Sequence, residues 1–313
     1  MFVLKRVGVL AVTLLVVSFV AFLIPYLTPG DPARKILRAR LGDLDVDPAA
    51  LEALRHEYGL DRPLLSQYWD WLGNAVRGDF GLSYTSRTPV IDMIGSALTI
   101  TAMLAATALL IAIVVAVPLG SLAAVRHGRP TDTAITTVTQ GFVALPEYWL
   151  APVLILVFAL HLGALPSAGW AGPASMVLPC LTLALRPMSY FTQVTRASMI
   201  DVLAAPHMTA ARARGLPFGV AMLRHGIRNA LLPVITLFSV WLAGLLGGSV
   251  VVEVIFSIPG MGRLMYESVV NNDVPAIQAA IVCLVALAVL ITTVTDVVYR
   301  LVNPAVRSSH GAA

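Results

Sequence analysis

Six apolar stretches of membrane length divide this chain: roughly Val7–Leu27, Leu98–Leu122, Ala134–Leu160, Ala174–Met199, Ala230–Phe256 and Ala276–Val302. A helix needs about 20 apolar residues to cross about 30 Å of hydrocarbon, so each stretch predicts a span. Lipid offers no partner to a peptide group, and such segments satisfy their backbones by becoming helices. The expected fold is an all-α integral membrane protein with six transmembrane helices. Composition agrees: 58% of the 313 residues are apolar and only 12% are charged, whereas a soluble domain sits near half apolar and a quarter charged. The first stretch follows Lys5 and Arg6 as a signal peptide would. It is long, however, and leads into Pro29-Gly30-Asp31-Pro32 with no small-x-small cleavage site, so it reads as an uncleaved span.

Charge sets the orientation, because short cytoplasmic loops collect arginine and lysine. With both termini inside, the cytoplasmic side gathers Lys5, Arg6, Arg126, Arg129, Arg196, Arg212, Arg214, Arg224, Arg228, Arg300 and Arg307 against Asp132, Asp201 and Asp296. The outer loop after Val252 holds Arg263 against Glu253, Glu267 and Asp273. The expected division is therefore a first span over 1–29, an extracytoplasmic segment over 30–96, a five-span core over 97–302 and a cytoplasmic tail over 303–313. Cys180 and Cys283 lie inside apolar runs, where core side chains are the plain reading and a disulfide or zinc site is disfavoured.

Three local patterns refine this outline. In the outer segment, Asp47-Pro48 begins a short helix as N-cap and first residue, and Gly59 ends it. A second helix runs from Leu64 to Val76, with Leu64, Leu65, Tyr68, Trp69, Leu72 and Val76 on its apolar side. His56-Glu57 lacks the second histidine of a zinc-protease helix. Between spans four and five, a helix begins at Pro206 and stops before Gly215, with Arg212 and Arg214 at the end where the dipole favours cations. Pro118, Pro146, Pro152, Pro179, Pro187 and Pro233 interrupt the spans, as neighbouring helices or a wet cavity allow. Gly244 and Gly248 form a small-x-x-x-small pair, which suits close helix packing as well as a path.

Two strings carry a resemblance. Ala211-Arg212-Ala213-Arg214-Gly215 stands in the loop over 198–228. Gly248-Ser249-Val250-Val251-Val252-Glu253-Val254-Ile255-Phe256-Ser257-Ile258-Pro259-Gly260-Met261-Gly262 follows one span later. Together with Gly59-Leu60-Asp61-Arg62-Pro63, Gly78-Asp79-Phe80-Gly81-Leu82-Ser83 and Arg224-His225-Gly226-Ile227-Arg228-Asn229-Ala230, they make the chain resemble the permease subunits of ABC importers, in the branch that handles dipeptides, oligopeptides and nickel. The resemblance spans nearly the whole chain. Pro206-His207 departs from the family's acidic residue and tyrosine, and Asn303 from its usual aspartate.

The resemblance implies that Ala211, Arg212, Ala213, Arg214, Gly215 and His207 form the coupling helix that docks on an ATPase. It implies an outer gate or cap at Phe256, Pro259, Gly260, Gly262 and Asp79. It further implies a second permease subunit, two ATP-binding subunits or one fused ATPase, an extracytoplasmic solute-binding protein and a place in the bacterial inner membrane. The chain itself would bind no cofactor, since it has no glycine-rich phosphate loop; ATP and magnesium would belong to the partners. Nucleic acid is not an expected partner. Peptides are the expected cargo, with nickel chelates, haem or sugars as alternatives.

Two other classes compete. An intramembrane enzyme would need His-Glu-x-x-His, Gly-x-Gly-Asp or a serine–histidine pair within the spans, and none occurs. A self-powered secondary carrier would show internal repeats and several charges at mid-membrane. Only Glu147 and Arg186 lie deep. Each is about 13 residues from the cytoplasmic end of its span, or roughly 20 Å at 1.5 Å per residue. Charges at that depth face a cavity or each other, so they either form a salt bridge or line a path with Glu253, Gly244 and Gly248.

Overall fold

The computed structural model describes residues 2–27, 31, 33–34, 37, 48–57 and 59–302, as helices and connecting turns with one isolated bridge between Leu82 and Pro89. Pro29, Gly30, Pro32, the Asp47 cap and the tail over 303–313, including Asn303, lie outside the described residues. The helices are α1 (Phe2–Leu27), α2 (Pro48–Glu57), α3 (Leu64–Val76), α4 (Val90–Val125), α5 (Pro130–Ala144), α6 (Glu147–His161) and α7 (Pro173–Ala204). They continue with α8 (Pro206–Ala213), α9 (Phe218–Ala230), α10 (Leu232–Gly248), α11 (Val250–Ile255), α12 (Met261–Val270) and α13 (Val274–Val302).

Among the described residues, Gly8–Leu27, Val90–Val125 and Val274–Thr295 are unbroken helices long and apolar enough to cross a membrane. Two further candidates are broken. The expected third span is not one rod: α5 and α6 meet at 100°. Pro146 supplies the break, since it cannot continue a hydrogen-bond ladder and pushes Leu145 to extended backbone at ψ 117. The expected fifth span, Ala230–Phe256, is also divided, into α10 and the separate α11, and α9, which leads into it, meets α10 at 44°. α7 is continuous over 32 residues, but its prolines, hydroxyls and Arg186 leave it less apolar than the others. Pro118, Pro179 and Pro187 sit inside unbroken helices.

Compactness divides the chain into one unit of Met1–Thr101 with Pro259–Leu290 and another of Ala102–Ile258 with Ile291–Ala313. In the first, α3 docks on α1 through Tyr68, whose ring meets Phe19 edge-on at 5.1 Å and whose hydroxyl lies 2.9 Å from Ser18 Oγ. The buried side of α3 is Gln67 and Tyr68. Leu64, Leu65, Trp69 and Val76, expected on that side, are exposed. Val90, Ile94 and Ala97 of α4 pack with Met261, Ala279 and Ala280. Asp273, 1% exposed, accepts from Ser83 Oγ, from Thr85 Oγ1 at 2.8 Å and from Tyr84 N–H at 3.0 Å, and so pins the loop before α4 to the start of α13. Partial burial raises the Asp31 carboxyl pKa, but the Arg55 guanidinium and the Ala33 N–H win and hold it below the usual carboxylate range.

In the second unit, α5 and α10 both pack on α7. A Cβ on Gly120 would lie 2.6 Å from the Thr192 carbonyl and 2.8 Å from Thr195 Cβ, so this glycine sets the closest approach of α4 to α7. Within this chain, nothing lies within 4 Å of a Cβ built on Gly244 or Gly248.

Candidate transport path and coupling loop

The basic loop is a short helix held on one side. Pro206 opens α8 at its first turn, where a missing N–H costs nothing. At the other end Leu216 N–H donates to Ala211 O (3.3 Å) and Gly215 N–H to Arg212 O (2.9 Å), with Gly215 at φ +86. This pair of bonds satisfies the orphan carbonyls and requires a left-handed residue. Met208 and Ala211 are buried with Ala221 against Val202, Leu203 and Leu216. Ala211 is therefore the attachment of the helix to its own chain, while His207, Arg212, Ala213, Arg214 and Gly215 are exposed. The Arg212 guanidinium lies 5.8 Å from the centre of the Phe218 ring, within cation–π reach.

Beside this loop is a site that sequence reading counted only as loop charge. Asp132, 4% exposed, receives Arg196 Nε on Oδ1 at 2.5 Å and Arg196 Nη2 on Oδ2 at 2.7 Å, a bidentate pair. Gly128 N–H adds a third bond at 3.0 Å. His127 Nδ1 lies 3.0 Å from Arg196 Nη2 and 3.1 Å from Asp132 Oδ2. A neutral ring can accept from the arginine, and a protonated one can donate to the carboxylate. The clamp fastens the foot of α5 to α7, shortly before α7 runs into α8. The clue in the sequence was Asp132 as a lone acid among Arg126, Arg129 and His127, but nothing local names Arg196.

The proposed path charges stand on three helices that pack together: Glu147 on α6, Arg186 on α7 and Glu253 on α11. Glu147 is the first residue after the bend, so the straight-helix depth assigned to it does not apply. The described residues contain no salt bridge between Glu147 and Arg186, and the bridge expected as one alternative is not formed. Arg186 is exposed and Glu147 half-buried. Glu253 differs, being fully buried and accepting Ser249 Oγ at 2.7 Å.

The motif that follows is mostly interior. Phe256 and Ile258 are buried, and Gly169 N–H donates to Phe256 O at 2.8 Å. Ile258 N–H reaches Glu253 O (2.8 Å) and Ser257 N–H reaches Val254 O (3.2 Å), the same cap as at Gly215 but with Ser257 at φ +54. Gly260 and Gly262 are buried and Pro259 exposed. Met261 N–H donates to Thr101 Oγ1 at 2.7 Å. Asp79 does local work, accepting Gly81 N–H at 2.9 Å in an Asx turn.

A family described as binding-protein-dependent transport system inner membrane component matches residues 116–308, and its N-terminal membrane component matches residues 1–105. The chain belongs to this family of ABC importer permeases. The glutathione transport system permease protein GsiC of Escherichia coli strain K12 is 40% identical over 306 residues, covering 98% of each chain, and that of Shigella dysenteriae serotype 1 matches to the same extent. Among solved structures, the crystal structure of an amino acid ABC transporter with histidines matches at 19% identity and a TM-score of 0.48, over 67% of this chain and 94% of that one. Among the described residues of the permease, no three His, Cys, Asp or Glu side chains are grouped to hold a metal ion.

Proposed function

We propose that this permease forms, with a second permease subunit, the membrane path of an importer for short peptides, fed by an extracytoplasmic binding protein. Partner ATPases supply the energy, and this chain carries no ATPase site. It lies in the bacterial inner membrane with six spans and both termini in the cytoplasm. α8 docks on an ATPase through His207, Arg212, Ala213, Arg214 and Gly215, anchored by Met208 and Ala211. ATP-driven closure of the ATPases moves α8 and switches the two permeases between inward-open and outward-open states.

One observation carries the choice of peptides. Glu147 and Arg186 have opposite charges on packed helices with no bond between them, an arrangement that suits the ammonium and carboxylate ends of a zwitterion. The glutathione relative supports the same class of cargo. In complex reconstituted with its partners, Glu147→Gln and Arg186→Met should fold as the parent does, since neither loses a direct partner. Uptake of labelled dipeptide or glutathione should fall by about tenfold or more in each, the loss expected for one charged contact. Normal uptake in both variants would remove these residues from the path. Topology has its own test: a cysteine at Ser86 should react with an impermeant thiol reagent from outside, and one at Ala210 only after the membrane is opened. The opposite labelling would overturn the proposed orientation.

A further inference from the structure

The first unit contains a cavity of about 320 Å³ that the transport reading does not use. Its volume falls within the range of small-molecule sites. Its walls combine aromatic rings with charge: Tyr26, Trp71 and Tyr84, the Arg62–Asp70 pair, and Gln278. Tyr26 comes from the last turn of the apolar stretch Gly8–Leu27, and Gln278 from the second turn of Val274–Thr295. The cavity thus sits where two membrane-crossing helices reach the interface, the level that aromatic side chains and headgroups share. α3, which forms one wall, turns Leu65 and Trp69 outward at 64% and 60% exposure, as a helix lying in lipid does.

The polar groups are built to receive something. Arg62 and Asp70 meet at 2.8 Å with about half of each side chain exposed, and such a surface pair is weak and opens readily. Arg62 has a prepared seat: a Cβ on Gly59 would lie 2.8 Å from its Nε, so glycine there leaves room for the guanidinium. Gln278 is 6% exposed and donates through Nε2 to Phe22 O at 3.3 Å, and its carbonyl oxygen is available to a ligand.

We propose that this cavity holds the headgroup of a zwitterionic phospholipid. The phosphate lies on Arg62. The ammonium lies against Asp70 and the faces of Trp71 and Tyr84, where cation–π attraction adds to charge. The carbonyl of Gln278 accepts from the ammonium or the glycerol. The acyl chains leave along α1 and α13. A free zwitterion such as a dipeptide shares the headgroup's charges and lacks the chains.

The full-length chain in nanodiscs of phosphatidylethanolamine or of phosphatidylglycerol distinguishes the two sources. Native mass spectrometry should find phosphatidylethanolamine retained after delipidation and phosphatidylglycerol lost. Arg62→Gln with Asp70→Asn should reduce that retention by about tenfold, the factor for one charge-assisted contact. Gly59→Ala, which keeps the charge and displaces Arg62, should reduce it too. Fluorescence of the otherwise unaltered chain provides a check independent of the charge variants. A headgroup-labelled quencher lipid should quench a component that Trp71→Phe removes. Equal retention of both lipids, retention unchanged by the charge variants, or no Trp71 component in the quenching would overturn the proposal. Protection of Trp71 by soluble dipeptide in phosphatidylglycerol discs would do the same.

Discussion

α8 and α11 end on the same pair of hydrogen bonds, but the two ends are held in opposite ways. At α8 the left-handed position is Gly215, and nothing lies within 4 Å of a Cβ built there. At α11 it is Ser257, between Phe256 and Ile258, which are 1% and 0% exposed. A residue with a Cβ costs about 1–2 kcal/mol in that conformation. Glycine therefore marks an end that must shape itself unaided, and serine an end that its buried neighbours impose. The two strings that carry the family resemblance are thus different objects. One is an exposed part whose form is local, and the other is an interior part whose form is borrowed from the core.

This contrast can be broken most forcefully at Phe256. If the core imposes the turn, Phe256→Ala should destabilise the permease by about 3–5 kcal/mol, as large aromatic truncations do. Thermal unfolding of the purified protein reads this directly, and an unchanged melting temperature would show that the motif is not held by packing. Gly215→Val should cost about 1–2 kcal/mol locally. The protein should still reach the membrane and assemble, but lose ATP-driven uptake. Substrate-stimulated turnover at the parent's rate would show that the α8 cap plays no part in coupling.

Ser257→Gly sharpens the comparison from the other side. Relief of left-handed strain should raise stability by up to about 1 kcal/mol, visible as a higher melting temperature with uptake unchanged. A lower melting temperature would mean that the serine side chain, and not the backbone, holds the turn. The smallest effect is expected at Phe218→Leu, which removes the ring beneath Arg212. A cation–π contact at an exposed site contributes about 0.5–1 kcal/mol, so ATPase stimulation should weaken modestly, with assembly intact.

Features written in short-range code were legible in the sequence. Pro48 and Gly59 bound α2, Pro206 and Gly215 bound α8, and the long apolar runs become α1, α4 and α13. Features that depend on distant partners were not. Pro146 announced a break but could not give its angle, because a proline frees the chain without choosing the new direction. The Asp132–Arg196 clamp joins residues 64 apart, and the Asp273 knot joins residues up to 190 apart; charge counts register such residues only as solvated loops. The apolar residues of α3 were visible, but which of them face the protein depends on where α1 lies. The left-handed Ser257 had no local signal at all.

The clamp and the bend together make α5 a lever. Its foot is bolted to α7 by two charged bonds, and its far end is a joint where the chain turns through 100°. Its 15 residues give an arm of about 22 Å. A tilt of about 10° at the foot would sweep the tip through about 4 Å, on the scale of the element shifts that switch other proteins. Glu147 is the first residue past that tip. A small displacement delivered where α7 meets α8 would thus arrive, amplified, at the charge proposed above to meet the cargo.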